Sequence, residues 1–126
     1  ILGCYDPDKD MTAPRKAKKI YFIDPLLYGV AGGFLRGIRN TFRWWKELLE
    51  DGKQRGNLFE SIVANDFARM NERTYYWYSA NIRREADIIV RKGDDLKVYE
   101  VKSKPESVKP ILGKKVEVIT PQSFDF

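Results

Sequence analysis

Four residues of this chain have the types and spacing that hydrolytic chemistry uses. Asp87, Glu100 and Lys102 lie in the stretch ADIIVRKGDDLKVYEVKSK, and Glu60 lies ahead of it. The stretch reads as two aliphatic strands joined by Gly93-Asp94, a two-residue loop with glycine first. That turn sets Lys92 opposite Asp95. Followed down the ladder, it sets Asp87 opposite Glu100 and Glu85 opposite Lys102. Because side chains alternate, Asp87, Ile89, Val98, Glu100 and Lys102 are expected on one face, with Ile88, Val90, Tyr99 and Val101 on the other. Two carboxylates facing each other across a ladder, with side-chain roots about 5 Å apart, repel. A shared proton, the neighbouring Lys102 or a bound divalent cation would compensate. Oxygen ligands suit magnesium, manganese or calcium rather than zinc.

Other chemistries are excluded by composition. The chain has no histidine and one cysteine, so Ser-His-Asp and Cys-His catalysis and a zinc site are ruled out. Any catalysis rests on carboxylates, lysines, tyrosines and a hard metal ion.

The elements that must position these residues are legible from pattern. The clearest helix begins near Asn57, in NLFESIVANDFARMNER, where Leu58, Phe59, Ile62, Val63, Phe67 and Met70 share a side. Glu60 sits at the rim of that apolar face, so a helix packed on the sheet would aim it toward Asp87 and Glu100. Asp66 projects nearer the middle of the face, which implies a polar contact with a neighbouring loop. Ahead of this helix, Ile20–Ile23 reads as a short strand, and Asp24-Pro25 as the cap and first turn of a short, glycine-rich helix. Asn40 or Thr41 caps the next helix, Gly52 stops it, and DGKQRG reads as a loop. After the Asn57 helix, Thr74–Ser79 reads as an aromatic strand with Tyr75 and Trp77 on one face and Tyr76 and Tyr78 on the other. KKVEVIT is a last strand, reached by a Pro-interrupted connection near the minimum for a parallel crossover.

At 126 residues the chain makes one domain, large enough to bury roughly two-thirds of its unfolded surface. Hydrophobic residues make up 43% and charged residues 33%, too apolar for disorder. No run is long and apolar enough for a membrane helix, so no membrane is expected as a partner. A single cysteine points to a reducing cytoplasm. Residues 1–19 read as a loop or linker to an upstream part, and 20–126 as the α/β domain. A net charge of +5 suits a polyanion without establishing one.

The acid, then acid-x-lysine pattern (Asp87, then Glu100-Val101-Lys102) resembles the PD-(D/E)XK nuclease superfamily. The resemblance implies a restriction-endonuclease-like fold: an α/β domain with an αβββαβ core and a mixed sheet flanked by helices. Ala86 stands where the superfamily's motif proline would be, and PESVKPILG is short for its crossover helix. More of the chain, through PRKAKKIYFIDPLL, GNLFESIVANDF, YYWYS, READIIV and VYEVKSK, resembles the C-terminal nuclease-like region of archaeal and bacterial AAA-type ATPases of unknown role. That likeness implies upstream P-loop ATPase and winged-helix parts on the same chain. No GxxxxGK[ST] loop occurs here, so ATPase chemistry would lie elsewhere.

The resemblance implies Glu60, Asp87, Glu100 and Lys102 as the site of a metal-dependent DNA endonuclease. Asp87 and Glu100 would hold Mg²⁺ or Mn²⁺, with the Val101 carbonyl as a further ligand and Glu60 serving a second metal or water. Lys102 would orient or deprotonate the attacking water, or neutralise developing charge. The alternative is a non-catalytic DNA-binding or regulatory module on the same fold. For single features the plainer readings prevail: Arg36, Arg39, Arg43 and Lys46 as a solvated stripe, YYWY as a buried strand, and PRKAKK as a solvated loop.

Overall fold

The computed structural model of the chain describes residues 1–22 and 24–123. The N-terminal segment folds onto the domain. Strands β1 (Tyr5–Asp6) and β2 (Met11–Thr12) form a small hairpin, and Leu2, Cys4 and Tyr5 are buried. Asp10 anchors this hairpin by pairing with Arg73 and Arg91. Where a strand was expected over Ile20–Ile23, residues 20–22 are irregular, and Ile23 lies outside the described residues. The pairing moves instead to an isolated bridge, in which Leu2 and Lys19 exchange both main-chain hydrogen bonds at 2.8 Å.

Three helices follow, each opened by a side-chain cap. Asp24 accepts from Leu26 N–H at 2.9 Å to start α1 (Pro25–Leu35), and Asn40 accepts from Arg43 N–H at 3.1 Å to start α2 (Thr41–Glu50). Helix α3 spans Gly52–Met70, so DGKQRG is not a loop. Asp51 ends α2 and caps α3 at once, its carboxylate accepting from Lys53 and Gln54 N–H. That cap satisfies orphan donors of the first turn and overrides the glycine as a stop signal. Asp66 is partly exposed and pairs with Arg69 one turn on, at 3.9 Å, rather than with a neighbouring loop.

The sheet has the order β3 (Thr74–Ser79), β4 (Arg84–Lys92), β5 (Asp95–Val101), β6 (Val116–Ile119). The first two pairings are antiparallel and the last is parallel. Gly93, with φ of 61°, makes the tight turn, and the expected register runs from Lys92↔Asp95 to Ile88↔Tyr99. The connection from β5 to β6 contains no helix among the described residues, and the αβββαβ core lacks its second helix there. The architecture is mixed α/β. Helix α3 lays Val63 and Ala64 on one sheet face, against Tyr76, Ile88, Val90 and Ile119. The other face packs Tyr75, Trp77, Ala86, Ile89 and Val98 under Tyr5 and Ile111.

Candidate functional site

One irregularity in β4 decides where the acids go. Tyr75 pairs with Ile89 but Trp77 pairs with Ala86, so Tyr76 alone faces both Asp87 and Ile88. This β-bulge breaks the alternation. Ala86 belongs to the core face away from α3, whereas Ile88 belongs to the α3 face. Asp87 is turned with Ile88 to the α3 side, where it meets Lys19 and Glu60. The expectation that Asp87 shares a face with Ile89, Val98 and Glu100 is therefore corrected. It fails because the bulge is imposed by pairing with β3, a partner the hairpin pattern does not contain. Glu100 alternates with Tyr99 onto the face of Val98, is 8% exposed, and lies 3.5 Å from Lys102 Nζ. Lys102 also pairs with Glu106 at 3.5 Å.

The acids that do gather are Glu60, Glu85 and Asp87. One carboxylate oxygen from each lies within 4.8 Å of the others. Lys19 stands among them, its ammonium 3.4 Å from Glu60 Oε1, 3.9 Å from Asp87 Oδ1, and paired with Glu85 Oε1. The bridge to Leu2 fixes the Lys19 main chain, and the Tyr76 ring lies 5.1 Å below its ammonium. Asp87 Oδ2 accepts from Val101 N–H at 2.8 Å, so Val101 meets the site through its N–H.

Charge in the cluster is unbalanced, with three carboxylates against one ammonium. Burial, opposed by Lys19 and reinforced by the Asp87 charge, raises the Glu60 pKa to about 7. Burial works against the Lys19 charge, but the Glu85 hydrogen bond and the Glu60 charge outweigh it and raise its pKa. A cavity of about 210 Å³ adjoins Glu60, lined by Ile20, Tyr21, Phe22, Asn57 and Ser61. The hydroxyls of Tyr21 and Ser61 are buried without a hydrogen-bond partner among the described residues. The donor set is all oxygen, over-negative and flanked by orphaned hydroxyls, which fits a hard divalent cation and its waters.

Lys19 and Glu85 were missed from sequence. Lys19 carries no local signal, since it stands in a loop and reaches Glu60 only through the fold. Glu85 had one: two residues before Asp87 in a strand, it falls on the same side.

The model of a family described as Domain of unknown function (DUF4143) matches residues 55–121, more than half of the chain. The chain belongs to this family. The DUF4143 match contains Glu60, Glu85, Asp87, Glu100 and Lys102, while Lys19 and the first two helices precede it. The DUF4143 description names no activity, and the likeness to PD-(D/E)XK nucleases rests on the residues alone. No curated protein and no solved structure matches the chain. No helix among the described residues is long and apolar enough to cross a membrane.

Proposed function

We propose that this chain is a divalent-cation-dependent hydrolase of DNA phosphodiesters, acting in company with a P-loop ATPase module of the same protein. The observation that carries this reading is the gathering of Glu60, Glu85 and Asp87 around a single lysine. Mg²⁺ or Mn²⁺ held by these three acids would lower the pKa of a bound water and polarise the phosphate. The chain's own groups supply the rest. Burial raises the Glu60 pKa to about 7 in the metal-free chain, so part of its proton occupancy would be released as the cation binds. Burial opposes the charge of Lys102, but Glu100 and Glu106 outweigh it and keep the side chain protonated. That cation is paired with Glu100 and Glu106, and it would favour DNA binding through longer-range charge rather than by contact at the acidic cluster. The test is incubation with single-stranded, duplex and branched DNA at low salt, in Mg²⁺, in Mn²⁺ and in chelator. Strand cleavage in metal alone supports the reading, and intact DNA throughout overturns it.

A non-catalytic module is the second reading, and one observation favours it. Lys19 already sits among the three acids, while Glu100 is paired off with Lys102 on another face. Such a module would bind DNA or a neighbouring domain equally well in chelator.

A further inference from the structure

The acidic cluster already contains a cation, and the chain supplies it. A lysine ammonium has three N–H donors, and that of Lys19 meets three carboxylates: Glu60 Oε1 at 3.4 Å, Asp87 Oδ1 at 3.9 Å and Glu85 Oε1, with which it is paired. A divalent ion bound by the same three acids, at the distance of about 2 Å that Mg²⁺ demands, would stand against that ammonium. Like charges in contact at a half-buried site repel strongly. The ion and the ammonium therefore exclude each other.

Lys19 is carried by residues 14–22, a segment without helix or strand. Lys19 and Tyr21 are half-buried, whereas Ile20 is 75% and Phe22 43% exposed. Residues 20–22 wall the cavity beside Glu60, facing Asn57 and Ser61 of α3. The unpartnered hydroxyls of Tyr21 and Ser61 belong to those walls, groups that water would satisfy once the segment lifts. The fastenings of the segment besides the ammonium include the packing of Tyr21 on the core and several hydrogen bonds. Leu2 and Lys19 exchange theirs at 2.8 Å, the Tyr76 hydroxyl donates to the Ala17 carbonyl, and Asn65 Nδ2 donates to the Phe22 carbonyl. Lys16 Nζ donates to the Tyr78 carbonyl at 3.2 Å. Residues 14–18 are exposed throughout, whereas Leu2, Cys4 and Tyr5 are buried. That contrast is the mark of a segment able to open locally while the hairpin before it stays folded.

We propose that residues 14–22 form a strap closed over the acidic site, with Lys19 as a tethered plug that a divalent cation must displace. Strap closure and cation binding then oppose each other, and the coupling runs equally in both directions. This regulation rests on the cation site of the hydrolytic reading, but not on DNA cleavage. The test is Mn²⁺ titration of the intact chain and two variants at one pH. Lys19→Met should bind Mn²⁺ about tenfold or more tightly than the unmutated chain, because the plugged state is gone. Tyr76→Phe keeps the ring beneath the ammonium and alters no carboxylate. It removes the fastening at Ala17 and should tighten Mn²⁺ binding to a smaller degree. Hydrogen exchange read by mass spectrometry follows the strap in the unmutated chain: Mg²⁺ should speed exchange in residues 14–22 and leave the sheet unchanged. Equal or weaker Mn²⁺ binding by Lys19→Met overturns the strap, as does exchange in 14–22 that Mg²⁺ slows or leaves alone, even if the chain cleaves DNA. Tighter binding by Lys19→Met with DNA left intact upholds the strap and overturns hydrolysis. Absence of Mn²⁺ binding by all three chains overturns both.

Discussion

The main-chain N–H of Val101 donates to Asp87 Oδ2 at 2.8 Å. With that oxygen the carboxylate ties the end of β5 to the bulge in β4, and with Oδ1 it faces Lys19. Asp87 is thus at once a structural acceptor and a member of the acidic cluster.

This dual role separates two substitutions. Asp87→Ala strands the Val101 N–H in a part-buried position and should cost about 1–3 kcal/mol. Asp87→Asn keeps an acceptor oxygen and should cost clearly less, although both remove the charge. Urea denaturation of the two variants in chelator compares them directly. Equal losses would mean that the hydrogen bond contributes nothing.

Stability should also depend on pH through Glu60. Its folded-state pKa is raised from an ordinary value of 4.5 to about 7, because burial penalises the carboxylate and Lys19 only partly offsets it. Between those values the folded chain binds more protons than the unfolded one. Stability attributable to Glu60 therefore falls as pH rises through this window and levels off above it. Glu60→Gln should flatten that slope. Denaturation midpoints measured across the window for both chains would show it, and identical slopes would refute the assignment.

Lys19 provides the complementary case. Its pKa is raised, so it stays charged at neutral pH and is the cation recorded among the three acids. Lys19→Met should lower the melting temperature in chelator, and Mn²⁺ should restore more stability to the variant than it adds to the unmutated chain. Thermal scans with and without Mn²⁺ test this. An unchanged melting temperature in chelator would mean that the pairing is not a stabilising contact.

Features with local causes were legible in the sequence. The caps at Asp24 and Asn40, the aromatic strand Thr74–Ser79, the Gly93-Asp94 turn and the ladder down to Ile88↔Tyr99 all follow from neighbouring residues. The faces of Ile88, Val90, Tyr99 and Val101 followed as well. What escaped depends on distant partners. The bulge at Asp87 arises from pairing with Tyr75 and Trp77, and it moves one acid to the other side of the sheet. The burial of Leu2, Cys4 and Tyr5 needs the edge of β3, where Gly3 accepts from Tyr76 N–H at 3.1 Å. Glu60 was placed toward Asp87 correctly because helix periodicity sets its direction whatever the sheet does beneath it.

The proposed cation site is made by Glu60, Glu85 and Asp87, with Glu100 outside it. Titration of the chain with Mn²⁺, followed by loss of the free-ion paramagnetic resonance signal, tests this most directly. The unmutated chain should bind a single ion, Glu85→Gln and Asp87→Asn should each weaken binding by about tenfold or more, and Glu100→Gln should leave it unchanged. Absence of binding by the unmutated chain, or binding lost in Glu100→Gln and kept in Glu85→Gln, would contradict the account.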